Sequence, residues 1–167
     1  MPNSMDLTPA RLDLSFTPCL EQVSMVRRFM EDYYQPVRKD PDLLSRMAIA
    51  IHELLENASK YSARGASRLE IAVTQSGHRK QLSIKVSNVP APEHIADLKA
   101  TMAGVTSPED AAEAYSLHMI AAVLRGEGSG LGLARIRAEA EMTLNLTIDD
   151  TMACVEAVAA FDDGGRS

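Results

Sequence analysis

Glu53, Asn57 and Lys60 stand at i, i+4 and i+7 in the stretch ELLENASKYS, a spacing that puts all three on one stripe of a helix. Leu54, Leu55 and Ala58 then point elsewhere. An Asn side-chain oxygen is a hard ligand of the kind Mg²⁺ takes together with phosphate oxygens. A Lys one turn later can meet a phosphate oxygen as a point charge. A Glu one turn earlier can accept a proton from a water or hydroxyl held near that phosphate. The plainer alternative is a solvated helix face, with Glu56 and Lys60 an exposed i, i+4 pair of little energetic value.

A second stretch offers the complementary half of such a site. GEGSGLGL places Gly126, Gly128, Gly130 and Gly132 immediately before ARIRAEA, which reads as a helix. Glycine lets backbone amides approach an anion closely, and the helix start that follows adds its positive end. A flexible loop with a helix cap is the bland reading of the same residues. The two stretches together are far more specific than either alone.

Elements must bring them together. RLDLSF alternates apolar and polar residues and predicts a short strand starting near Arg11. Thr17 is positioned to cap a helix with Pro18 at its first turn, running to about Tyr34 with Leu20, Val23, Val26, Phe29 and Met30 on one side. Asp40 can cap a second helix with Pro41 at its start, carrying Leu43, Leu44, Met47, Ala48, Ile51, Leu55 and Ala58. It is expected to end in SARGAS, where Gly65 suits a helix C-terminus. RLEIAVTQ and QLSIKVSNV, separated by SGHRK, predict an antiparallel hairpin. Two more helices follow, EHIADLKATMAG after Pro92 and SPEDAAEAYSLHMIAAVLRG with Ser107 as cap and Pro108 at its first position. After the glycine turn and its helix, TLNLTIDD and ACVEAVAAF predict a closing hairpin, and the tail DDGGRS is expected to fray. The fold class is therefore α+β, a two-layer α/β sandwich with a mostly antiparallel sheet and its helices on one face.

Composition narrows the partners. The 167 residues suit a single domain over 1–167, with its core from about 12 to 161. Aromatics make up only 4% with no Trp, which gives little for stacking on nucleic-acid bases, and the net charge of −6 repels phosphate backbones and anionic membranes. No segment has the length and apolarity of a membrane span. Cys19 and Cys154 lack metal-ligand spacing and read as free thiols of a cytoplasmic protein. His52, His78 and His118 are assigned structural or surface roles.

With these residues in place, HELLENASKYS resembles the N box of the GHKL ATPase superfamily, which includes gyrase, a heat-shock chaperone, sensor histidine kinases and MutL. GEGSGLGL is similar to that superfamily's late glycine box, and the order of elements fits its Bergerat-type sandwich. The likeness extends from about Leu12 to Phe161, and the short chain favours the stand-alone anti-sigma-factor kinases within it. In that branch the resemblance implies Asn57 as the Mg²⁺ ligand, Glu53 as the catalytic base and Lys60 as a phosphate contact. Gly128, Gly130, Leu131 and Gly132 would line the lid hinge beside the phosphates of ATP. The implied partner is a regulatory protein of the sigma-factor or anti-sigma-factor-antagonist type, and homodimer formation is a further implication.

The adenine-reading box departs from the family pattern. An Asp-x-Gly-x-Gly is expected after the second hairpin strand, and register puts Asn88 at the Asp, with Pro90 and Pro92 at the glycines. Asn can accept a hydrogen bond from an adenine amino group without charge assistance. Prolines fix φ, remove amides and add rings where a purine needs close backbone approach. Residues from Glu93 to Arg125 form an Ala-, Leu- and Met-rich region, as in a divergent branch of small bacterial regulators, the SiaB-like proteins. Two functions follow: a serine/threonine kinase that binds Mg²⁺-ATP and phosphorylates or sequesters a small partner, or a catalytically inactive binding module that has lost its nucleotide.

Overall fold

The computed structural model describes residues 10–34, 41–107, 110–125 and 131–162. Five strands and five helices follow in the order β1 (Ala10–Phe16), α1 (Leu20–Tyr33), α2 (Pro41–Tyr61), β2 (Ser62–Ser76), β3 (Arg79–Pro90), α3 (Pro92–Val105), α4 (Ala111–Arg125), α5 (Leu131–Glu139), β4 (Thr143–Asp149) and β5 (Met152–Asp162). The strands form one sheet in the order β1-β2-β3-β5-β4, and every neighbouring pair is antiparallel. This is the α+β two-layer sandwich expected from the sequence.

Alternation along the strands separates the two faces of the sheet. Leu69, Ile71, Leu82, Ile84, Val86, Ala157 and Ala159 face the helices and are buried. The opposite face carries a cross-strand row of Asp13, Glu70, Lys85, Glu156 and Asn145, set by the strand registers. Its two adjacent acids, Asp13 and Glu70, are offset by cations: Arg68 bonds Asp13, and Arg11 donates to Glu70 at 2.6 Å. The hydrogen bond from Arg68 holds the Asp13 carboxyl below the usual carboxylate range.

The helices lie side by side, α1 on α2, α2 on α5 and α5 on α4, with α3 against α5 and β4. α2 is the centre of this layer. Its apolar positions Leu43, Met47, Ala50, Ile51, Leu54, Leu55 and Ala58 are all buried, a wider arc than one stripe because neighbours flank it on both sides. Leu54, Leu55 and Ala58 point away from the polar stripe and into the core, as the spacing predicts. On α1 the buried row is Val23, Val26 and Met30, continued by Tyr34 at its C-cap, and the expected core residues Leu20 and Phe29 are exposed.

Several boundaries differ from the expectation. The N-cap of α1 is Cys19, without a side-chain cap bond, so Thr17 and Pro18 form the link from β1. α2 ends at Tyr61 and β2 begins at once, so Gly65 is not a helix C-cap. It sits at φ +78° in the irregular start of β2, where the register shifts between Ser62 and Arg64 and again before Arg68. A bulge needs a positive φ as much as a helix C-terminus does. α4 starts three residues later than expected at Ala111, because Asp110 rather than Ser107 caps it: its Oδ1 accepts from the backbone of Ala112 at 2.8 Å and Glu113 at 3.2 Å. The expected cap Asp40, the expected first helical residue Pro108, the glycines from Gly126 to Gly130 and the tail beyond Asp162 lie outside the described residues. The link from α5 to β4 is held by Arg46 of α2, which donates to the carbonyls of Ala140 at 2.5 Å and Glu141 at 2.9 Å. No described helix is long and apolar enough to cross a membrane, and Cys19 and Cys154 are free thiols.

Candidate functional site

The spacing on α2 aims Glu53 at α5. Glu53 is buried, with 7% of its surface exposed, which is unusual for a carboxylate and requires a partner. Arg135 of α5 supplies it: its Nη1 lies 2.9 Å from Glu53 Oε1, while its Nε donates to Glu139 Oε2 at 2.8 Å one turn further along α5. The hydrogen bond to Glu139, then that to Glu53, hold the guanidinium more firmly protonated than usual. Tyr115 of α4 joins the cluster, its phenol pushed up by burial and by the Glu139 carboxylate.

Gly132 allows a close approach between the two helices. A Cβ placed on it would lie 2.5 Å from Glu53 Oε2 and 3.5 Å from Glu53 Cβ, so the backbone of α5's first turn rests directly on the Glu53 carboxylate. A negative charge at that end of α5 is favoured by the helix dipole. Glu53 therefore already occupies part of the electropositive position that the glycine motif would offer to an incoming anion.

The other expected residues fall as follows. Asn57, one turn beyond Glu53, is half-buried, and its amide hydrogen-bonds no described residue. Lys60 is exposed, and its Nζ lies 3.2 Å from Glu56, the i, i+4 pair of the plainer alternative. His52 approaches Glu56 from the other side at 3.9 Å. Leu131 and Gly132 form the start of α5, both half-buried, while Gly128 and Gly130 lie outside the described residues. Asn88 is half-buried in β3 opposite Ala153, in the same helix-facing row as Leu82, Ile84 and Val86.

Beyond Asn88 the chain has no glycine loop. β3 continues through Pro90, which pairs with Ser62, and α3 begins at Pro92, leaving Ala91 as the only residue between strand and helix. Ala91 N donates to the Tyr61 carbonyl at 3.1 Å, and the Tyr61 and His94 rings meet edge to face at 5.2 Å. These contacts tie the end of α2 to the start of α3. A cleft of about 370 Å³ opens at the far end of α5, lined by Thr106, Ala111, Arg137, Glu141, Met142, Thr143 and Leu144, and none of the expected residues borders it.

Sequence reasoning missed Arg135 and Glu139. The available signal was an i, i+4 Arg–Glu pair one turn after Gly132; nothing local says that the arginine also reaches a residue 82 positions earlier. No group of three or more His, Cys, Asp or Glu side chains suited to a metal occurs among the described residues. Asn57 is the residue here whose side-chain oxygen could join phosphate oxygens around a magnesium ion.

Neither the protein-family models nor the curated proteins contain a match to this chain. Among solved structures, it is similar to a chain in the crystal structure of the SiaB–SiaC complex from Pseudomonas aeruginosa, with a TM-score of 0.62 and 18% identity over 89% of this chain and 88% of that one. The likeness covers most of the chain and establishes the fold.

Proposed function

We propose that this chain is a small GHKL-like regulator of the SiaB kind, which binds Mg²⁺-ATP through its phosphates and phosphorylates or sequesters a regulatory protein partner. The observation that carries the reading is the contact between Gly132 and Glu53. It joins the helix bearing Asn57 to the helix start that follows the glycine motif, the arrangement a metal–phosphate site requires. Asn57, free to coordinate, would hold the magnesium of the nucleotide, which neutralises phosphate charge when bound. Lys60 would meet a phosphate oxygen by leaving Glu56, an exposed pair of small value. Glu53 would take the proton from a Ser or Thr hydroxyl of the partner, for which it must first part from Arg135.

The partner class is drawn from the family resemblance, a sigma factor or an anti-sigma-factor antagonist, and the similar solved structure is itself a two-protein complex. A cytoplasmic setting accords with the free thiols. Homodimer formation has a candidate surface in α1, where Met25, Phe29 and Tyr33 stand 70%, 49% and 48% exposed at i, i+4 and i+8.

The inactive-module reading draws on the β3–α3 junction, which has prolines where a purine site needs glycine backbone, and on the engagement of Glu53 by Arg135. Melting with Mg²⁺ and ATP or ADP separates the two. On the kinase reading, nucleotide at a hundredfold above its Kd raises stability by about 2.7 kcal/mol, and Asn57→Ala abolishes both the shift and label transfer to the partner. An unmoved melting curve for the unaltered protein selects the binding module.

A further inference from the structure

We propose that Arg135 is a phosphate-binding residue that exchanges Glu53 for the ligand, so that arrival of a polyphosphate at the start of α5 frees the Glu53 carboxylate. This rests on the reading of the α2–α5 site as a phosphate site. Three features of the geometry carry it. Arg135 bonds two carboxylates through different nitrogens, Nε to Glu139 and Nη1 to Glu53. Glu139 is an i, i+4 neighbour on the same helix, so the Nε contact can persist as a hinge while the outer end of the guanidinium turns. The Arg135 side chain is 40% exposed whereas that of Glu53 is 8% exposed, so the cation is reachable from solvent and the acid is covered.

The place to which Arg135 would turn lies beside it. Gly132 is three residues earlier, on the adjoining turn of α5, with its backbone against Glu53 Oε2. An anion binding at that helix start meets Glu53 as a competitor for the same positive groups: the helix end and the guanidinium. Arg satisfies phosphate with parallel N–H donors, and a multiply charged phosphate attracts it more strongly than a single carboxylate does. Once the guanidinium leaves, Glu53 remains buried without its cation. The exchange would thus leave Glu53 Oε1 open to the hydroxyl of a partner only when a phosphate is present, and keep it engaged by Arg135 while the site is without one. No bond is made or broken in this step; one charge-assisted hydrogen bond replaces another.

Calorimetric titration of inorganic tripolyphosphate with Mg²⁺, and separately of Mg²⁺-ATP, tests the exchange with four proteins: unaltered, Glu53→Gln, Arg135→Met and the double variant. Glu53→Gln should tighten binding by about tenfold, the value of one charge-assisted contact released from competition. Arg135→Met should weaken binding by a similar factor. In the Arg135→Met background, the change at Glu53 should have little further effect. The double variant removes both ends of the pair and so guards against a result caused by an uncompensated buried acid. Equal tightening by Glu53→Gln with and without Arg135 means that Glu53 acts through its charge alone, and overturns the exchange. Binding by the unaltered protein that Arg135→Met leaves unchanged also overturns it, while leaving the phosphate reading intact. Absence of binding in all four proteins refutes both.

Discussion

Two places on this molecule stand where the proposed reading puts the two ends of a nucleotide, and they are built in opposite ways. At the α2–α5 contact, the bulk of a side chain is removed at Gly132 and a buried acid is balanced by Arg135, so backbone and charge are brought close together. At the β3–α3 junction, Pro90 and Pro92 remove amides and add rings, and the chain passes from strand to helix through Ala91 alone. The first can present donors and charge to an anion. The second holds two elements together. The comparison teaches that a place suited to an anion and a place suited to a base can be altered separately, because different elements build them.

The largest effect expected from this contrast is a loss of discrimination by the base. If the junction contributes nothing to binding, tripolyphosphate with Mg²⁺ should stabilise the protein as much as Mg²⁺-ATP does at equal concentration, about 2.7 kcal/mol where that concentration is a hundredfold above Kd. Differential scanning fluorimetry across matched titrations measures this. A shift with ATP that clearly exceeds the tripolyphosphate shift would break the comparison, since the adenosine would then have a site of its own.

Next in size is the removal of a charge partner. Arg135→Met leaves Glu53 buried without a cation and should cost about 2 kcal/mol in urea unfolding. That is less than the 3–5 kcal/mol typical of a fully buried pair, because Arg135 is half-exposed and solvent screens it. Adding Glu53→Gln should recover more than half of the loss. No recovery would mean that Arg135 stabilises α5 through Glu139 and packing, with Glu53 incidental.

Gly132→Ala sharpens the argument through a change of sign. In the unaltered protein the new Cβ meets Glu53 Oε2 at 2.5 Å, and the acid must leave its bond to Arg135, for a net cost of about 1 kcal/mol. In a Glu53→Ala background the obstacle is gone. Alanine then has the advantage of helix propensity over glycine, and the same substitution should stabilise by up to about 1 kcal/mol. Additive effects of the two changes would show that the two residues are not coupled.

Much of this architecture was legible because period and burial coincide. Alternation in RLEIAVTQ and QLSIKVSN marks strands whose inward residues are the sheet's core, and Asn57 was placed correctly beyond Glu53 by helical spacing alone. The failures share a cause: one local signal that serves two structures. Gly65 answers a demand for positive φ that helix ends and bulges make alike. Ser107 and Asp110 are both competent caps, and which of them starts the helix is set by packing that the local sequence does not contain. Phe29 and Leu20 fit a broad apolar arc on α1, but only the arc centred on Val26 and Met30 meets α2. The burial of Glu53 against Arg135 was not legible, because the two residues are remote in the chain.

The smallest predicted effect lies at the junction. Pro92 occupies the first helical position of α3, where a missing N–H costs nothing and a preset φ reduces the freedom lost on folding. Pro92→Ala should therefore cost about 0.5 kcal/mol and leave tripolyphosphate binding unaltered, as expected of a residue that only starts a helix. Pro92→Gly should cost more, since glycine surrenders more backbone entropy. It would also introduce the residue type that the purine-binding loop of the resembled family has there. If the junction is purely structural, that variant still treats ATP and tripolyphosphate alike, because Pro90 remains paired with Ser62 and Ala91 remains bonded to Tyr61. A preference for ATP appearing on this single change would mean that the base site is obstructed by one ring and otherwise intact, and the separation between the two halves would fall.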